Sequence, residues 1–284
     1  MIEKIGRWKL FRSRLAVCGA IMSLLVVILS LVGPLLAPYG PSEFSSQLLR
    51  PPSSNHYFGT DGHGRDVFSR ILGGSRITLV LSLTTVFISG LIGTFWGLFA
   101  AYTKGAASML LNRSMDVFMS FPAIMLALFV VALVRTEGSL PLIIAISLAY
   151  IPRFARVIYG STLPILEEDF ILAEKALGAG HLRILLGHVL PNLAAPITVL
   201  MSIYMPYSIM LESTLSFLGL GAPPDVPTWG RIISDGKAYM KVAPWLTIFP
   251  GVTIIFAALA FNLLGDGLRD VFDPRSKGRL LSGS

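Results

Sequence analysis

Four side chains with metal-binding chemistry lie close together in HYFGTDGHGRDVFSR: His56, Asp61, His63 and Asp66. Imidazole and carboxylate suit nickel or zinc. The same stretch also reads as a turn-rich loop, with Asp61 and Asp66 accepting backbone N–H groups and Arg65 anchoring the fold. The second reading is preferred, so no metal ligand is assigned. His181 and His188 are read as surface contacts within a charged segment. The lone cysteine, Cys18, sits in an apolar run, which excludes an intrachain disulfide and a cysteine metal cluster. No G-x-x-x-x-G-K-[ST] run occurs, and the glycine-rich 58–66 stretch lacks the lysine that would grip a phosphate. The chain is therefore expected to bind no nucleotide, to hold no cofactor and to have no catalytic residue.

The elements that carry these residues are mostly apolar. Hydrophobic residues make up 54 % of the 284 and charged residues 14 %, against about 25 % charge in soluble domains. With a mean hydropathy of +0.71, the chain reads as a polytopic membrane protein. Its net charge of +7 does not point to nucleic acid, because the basic residues flank apolar spans instead of forming a stripe with aromatics. Six segments are long enough to cross: about 15–36, 77–102, 114–134, 140–159, 196–218 and 244–264. The bilayer demands internal backbone pairing and no alternating barrel pattern is present, so these are read as helices. The fold class is all-α. The first apolar run exceeds the roughly 7–15 residues of a signal peptide and is read as an uncleaved span.

Lys and Arg placement sets the expected orientation. Lys4, Arg7, Lys9, Arg12, Arg14, Lys104, Arg113, Arg153, Arg156, Lys175, Arg183, Arg269, Arg275, Lys277 and Arg279 fall on one side. Arg50, Arg65, Arg70, Arg76, Arg135, Arg231, Lys237 and Lys241 fall on the other. The ratio of 15 to 8 places both termini in the cytoplasm. Two long outer segments, 38–76 and 219–243, begin with Pro- and Gly-rich turns. No inverted repeat is evident. The chain is divided into 1–76, a tail, first span and outer segment, and 77–284, the main membrane domain.

Few charges lie in or beside the spans: Arg113, Asp116, Glu137, Arg153, Arg156, Glu212 and Asp266. Glu212 falls mid-span in the fifth segment, where a carboxylate is expensive and is a functional hypothesis by default. It is expected either to face a translocation path or to make a buried hydrogen bond to a neighbour. Arg113 and Asp116, three apart, are expected to pair. Pro122, Pro206 and Pro250 are candidate kinks.

Between the fourth and fifth spans lies EEDFILAEKALGAGHLRILLGHVLPN (167–192), charged and broken by glycine. Glu167, Glu168 and Asp169 suit a helix start, and Gly178 suits its end. Leu182, Leu185, Leu186 and Val189 then follow helical spacing up to Pro191. This predicts two short helices meeting at a glycine, a compact knob outside the membrane.

The knob resembles the cytoplasmic EAA loop of ABC importer permeases: Glu-Ala-Ala, three residues, Gly, nine residues, then Ile-x-Leu-Pro. Ala173, Gly178, Leu190 and Pro191 match, whereas Leu172, Glu174 and His188 depart from it. The blocks FGTDGHGRDVFSRILGGSR (58–76), LSFLGLGAPPDVPTWG (215–230), PWLTIFPG (244–251) and AFNLLGDGLRDVFDPR (260–275) are similar to the dipeptide, oligopeptide and nickel subfamily. Within it, the chain resembles the second permease of the pair. The resemblance implies a transporter subunit of the bacterial inner membrane. Its partners would be a homologous permease, two cytoplasmic ATPases that hold ATP and Mg, an extracytoplasmic binding protein and membrane lipid. It further implies that Ala173, Glu174, Lys175, Gly178, Ala179, His188, Leu190 and Pro191 form the ATPase-coupling loop. Dipeptides or oligopeptides are the expected cargo, with nickel or a metal chelate the alternative. An ATP-independent channel or secondary transporter, and a membrane scaffold, are the readings from other classes.

Overall fold

The computed structural model describes residues 14–134, 138–223 and 225–272. The charges Lys4, Arg7, Lys9, Arg12, Arg135, Glu137, Arg275, Lys277 and Arg279, and the side chain of Arg14, lie outside the described residues.

Long apolar runs with few breakers become long helices, because only a helix satisfies its own backbone in lipid. They are α1 (Arg14–Leu36), α2 (Val67–Tyr102), α5 (Leu140–Leu166), α8 (Ala194–Phe217) and α10 (Trp245–Phe272). Each is long and apolar enough to cross a membrane. Shorter elements lie between them: α3 (Gly105–Met119), α4 (Ala123–Leu133), α6 (Asp169–Ala176), the π-helical α7 (Arg183–Val189) and α9 (Trp229–Gly236). Among the described residues there is no strand, only an isolated bridge between Thr60 and Asp66.

The third expected span, 114–134, is not one straight helix. It is the pair α3 and α4, bent by 91°. Pro122 stands at the break; it has no N–H to donate and clashes with the preceding turn. At 11 residues, α4 alone falls short of the roughly 20 needed to cross. The bundle thus has five unbroken spans and a sixth only if the bent pair counts as one.

The second span begins ten residues before the expected position 77. Its first turn carries Arg70 and Ser69, which apolar patterning excludes, yet both are buried. Asp66 caps this end, its carboxylate accepting the Ser69 N–H at 2.8 Å, one of the orphan donors of a helix start.

The axis of the bundle is the pair α2 and α5, which share the most extensive contact. A Cβ on Gly93 would lie 2.5 Å from Phe154 Cβ, and one on Gly97 2.3 Å from the Ala155 carbonyl oxygen. Only glycine permits this approach, as is usual where lipid supplies no hydrophobic drive between helices. Around this pair, α8 packs on α2 and α10, and α1 on α10 and α2. Thr85 Oγ1 and Ser208 Oγ, 2.6 Å apart, add a buried hydrogen bond between α2 and α8.

The two long loops meet at one end of the bundle. Trp245 Nε1 donates to the Thr60 carbonyl at 3.2 Å, and Trp229 Nε1 to the Ile71 carbonyl at 3.1 Å. The 167–192 segment projects from the opposite end, beside Tyr102 at the end of α2.

Candidate functional site

The projecting segment is a helix–turn–helix knob. In its first helix, α6, Asp169 sits in the first turn and Lys175 in the last, both complementing the helix dipole. The helix ends in a complete Schellman motif. Gly178 N–H donates to the Lys175 carbonyl at 3.1 Å, and Ala179 N–H to the Glu174 carbonyl at 3.0 Å. Gly178 has φ +78°, a conformation that only glycine adopts without strain. A Cβ there would meet nothing within 4 Å, so the requirement is conformational and not steric.

The second half departs from the expected α-helix. Residues Arg183–Val189 are π-helical, with Leu190 N–H bonded to the Leu185 carbonyl five residues back. A wider turn changes which residues face inward. Ile184, Leu185, Val189 and Leu193 are buried, while Leu182 and Leu186 point outward at 66 % and 48 % exposure. Ile184 and Val189, five apart, follow the π period. Leu190 and Pro191 continue as one more turn into α8.

Two contacts hold the knob. His188 Nε2 lies 3.4 Å from Glu174 Oε1, joining its two halves. Tyr102 O–H and His181 Nδ1, 2.5 Å apart, tie it to the end of α2. The departures at Glu174 and His188 are therefore coupled: each is the other's partner. Lys175 and Ala179 line a cleft of about 600 Å³ with Tyr102, Lys104, Glu167 and His181. Ala173 lies on the outer face with Leu172 and Leu177, the last 85 % exposed.

At the loop end the four metal-type side chains do not converge. His56 Nδ1 meets Asp66 Oδ1 at 2.9 Å. Asp61 accepts the backbone N–H groups of His63 and Arg65, both at 2.9 Å. Its other oxygen takes Arg65 Nε at 2.7 Å and Arg70 Nη1 at 2.5 Å. Arg65 and Arg70 each also reach Asp235 at 3.0 Å. Burial opposes the Asp61 charge, but Arg70, the two amides and Arg65 outweigh it and hold the carboxyl below the ordinary carboxylate range.

Glu212 is enclosed by this chain and not open to a path. It is wholly buried five residues before the end of α8. Its oxygens accept from Ser216 Oγ at 2.7 Å and Ser213 Oγ at 3.4 Å, with the Thr228 hydroxyl as a third partner. The mid-span expectation fails because the apolar run ends with a turn folded back onto α8. Asp116 forms the expected ion pair with Arg113, at 3.9 Å, and is also bonded to Arg156 of α5.

Sequence reading missed two features. Asp235 completes the arginine network; the available signal was an acid four residues after Arg231 on a short amphipathic helix. The second is an aromatic cluster in which Tyr204 packs on Tyr150, Phe154 and Tyr207, with centroids 5.2, 4.7 and 6.1 Å away. Its signal was Tyr204 and Tyr207 one turn apart.

Comparison with known proteins decides the family. Residues 93–278 match the family described as "Binding-protein-dependent transport system inner membrane component". The chain belongs to this family of ABC importer permeases. Residues 4–52 also match the N-terminal transmembrane domain of oligopeptide transport permease C. A peptide transport system permease protein of Brucella suis is 41 % identical over 95 % of this permease and 90 % of its own length. The glutathione transport system permease protein GsiD of Escherichia coli is 40 % identical over the same shares. In the inward-facing methionine transporter MetNI, one chain superposes with a TM-score of 0.57. It is 19 % identical and covers 69 % of this permease and 93 % of that chain; the likeness extends the family's fold to this helix arrangement. The permease is thus a multi-pass inner-membrane component of a transport system, and not an enzyme.

Proposed function

We propose that this permease and a homologous one form the translocation path for peptides, driven by two cytoplasmic ATPases that carry the ATP and Mg. The observation that carries this reading is the knob. It presents Leu172, Leu177, Leu182 and Leu186, all substantially exposed, outside the spans. Exposed apolar surface of this kind on a rigid element marks a protein docking site. The Schellman joint at Gly178 and the Glu174–His188 contact make the two halves one stiff body, and the Tyr102–His181 contact links it to α2. Motion of a docked ATPase then passes to α2 and α8. Ala173, Glu174, Lys175, Gly178, Ala179, His188, Leu190 and Pro191 are assigned to this coupling element.

In the same reading the knob end is cytoplasmic, because Lys104, Arg113, Arg156, Lys175, Arg183 and Arg269 lie toward it. The loop end faces outward, where an extracytoplasmic binding protein delivers cargo. The cargo class follows the names of the relatives, peptides and the tripeptide glutathione.

The test is to tag the chain, solubilise it gently from its native membrane and identify what co-purifies by mass spectrometry. Two ATPases and a second permease, with ATP-dependent peptide uptake after reconstitution, are the expected result. Recovery of the chain alone, with uptake in liposomes lacking ATP, would overturn the reading.

A further inference from the structure

Two arginines sit one turn apart on α5, and only one is neutralised. Arg156 is bonded to Asp116 and to Asn112 of α3. Arg153 makes a single bond, back to the Ala149 carbonyl of its own helix. No carboxylate reaches it among the described residues. It stands at the midpoint of α5, 13 residues from either end, in a helix long and apolar enough to cross a membrane. A partly buried, unneutralised guanidinium at that depth is expensive and points to a function.

The surroundings of Arg153 are suited to an anion. On α5 it is flanked by Tyr150 and Phe154, and both rings pack on Tyr204 of α8. Its charge lies close enough to the Tyr150 and Tyr204 hydroxyls to act on them electrostatically. The Tyr150 hydroxyl is occupied, donating to the Tyr207 carbonyl at 3.0 Å. The hydroxyls of Tyr204 and Tyr207 have no hydrogen-bond partner among the described residues, and Tyr207 is 53 % exposed. One planar guanidinium and two free phenol donors therefore sit where α5 meets α8, at the open edge of an aromatic cluster.

We infer that Arg153, Tyr204 and Tyr207 form a carboxylate-recognition site within the membrane, which holds the free carboxylate of a peptide as it passes. This rests on the reading that the chain lines a path for peptides. A guanidinium grips a carboxylate through two parallel N–H bonds, and the phenols supply the remaining donors. The site is partly exposed, so the hold is weak enough for release, as a path requires. The rival source of the same anionic oxygens is a lipid phosphate.

The test uses the whole complex in proteoliposomes, with ATP inside and its binding protein outside. The probes are a labelled tripeptide and its C-terminal amide, each saturating the binding protein, and the readout is the ratio of their uptake rates. The wild-type complex should favour the free acid about tenfold, the factor expected of one charged hydrogen bond. Arg153→Gln should bring the ratio toward one. Tyr204→Phe with Tyr207→Phe, which removes only hydroxyls, should lower it part of the way and serves as the test if Arg153→Gln fails to assemble. An unchanged ratio in an assembled Arg153→Gln complex, or an equal fall for both probes, would overturn the assignment. So would a requirement for anionic lipid that disappears with Arg153→Gln, which would make the anion a lipid phosphate. Failure of the wild-type complex to take up either probe with ATP would instead overturn the peptide reading itself.

Discussion

Arg70, four residues into α2, donates from Nη2 to Asp235 of α9 at 3.0 Å across 165 residues of sequence, while its Nη1 meets Asp61 at 2.5 Å. One guanidinium thus joins the loop before α2 to the loop after α8, and Arg65 repeats the connection. The two loops that bound the chain's second and fifth spans behave as one folded cap. Stranding a buried charge costs about 3–5 kcal/mol, and Arg70→Met should cost less than that, because Arg65 still reaches both Asp61 and Asp235. Arg70→Met should therefore measurably lower the thermal midpoint of the detergent-solubilised protein. Arg70→Lys should recover only part of the loss, because an ammonium cannot serve both acids as a fork does. A midpoint within error of wild type for Arg70→Met would remove the cap argument.

The same cap carries a pH dependence. The Asp61 carboxyl titrates below its ordinary value in the folded protein. A depressed folded pKa means that the unfolded chain binds the proton first as pH falls, so the stabilisation is complete above about pH 4 and is lost progressively below it. Thermal midpoints between about pH 3 and 7 should fall at the acid end for wild type. In Asp61→Asn that acid-side fall should be smaller, from a lower starting midpoint. An identical acid profile would show that Asp61 is not the titrating group.

At the knob, Gly178→Val places a β-branched side chain at φ +78°. The left-handed conformation costs an ordinary residue about 1–2 kcal/mol. Because a Cβ there meets no neighbour, the spans should fold and insert normally while the joint angle shifts. Membrane levels should match wild type, and ATP-driven uptake should drop severalfold or more. Gly178→Asn, which tolerates this conformation better, should retain more uptake. Wild-type uptake by Gly178→Val would sink the lever.

Glu212 distinguishes a joint from a path residue. Glu212→Gln keeps one carbonyl acceptor for Ser216 and turns its NH2 donor toward the Ser213 hydroxyl oxygen, and should leave assembly intact. Glu212→Leu strands the Ser216 hydroxyl, at about 1–3 kcal/mol for a buried unsatisfied group, and should lower the thermal midpoint. If Glu212→Leu kept the midpoint but altered cargo uptake, the carboxylate would have to face the path in another conformation.

Membership of the membrane class, the approximate spans and the glycine-centred knob are determined by sequence alone. Apolar run length is a local property that lipid enforces directly, and Gly178 is required by one backbone angle. The bend at Pro122 was marked by its proline, but its size is set by what α4 packs against. Burial of Arg70 and Ser69, and with it the early start of α2, depended on Asp61 and Asp235, which contact patterning cannot connect across 165 residues. The π turn of Arg183–Val189 was hidden because Leu182, Leu185, Leu186 and Val189 satisfy an α period equally well; only packing of Ile184 and Val189 selects the wider one. Glu212 and Arg153 show the same division. Each is an ionisable group in or beside an apolar run; the sequence marks Glu212 as costly and places Arg153 with the cytoplasmic charges. Only the tertiary arrangement provides Glu212 with hydroxyl partners and leaves Arg153 beside two free phenols, because partners of a side chain are chosen by long-range packing and not by its neighbours in the chain.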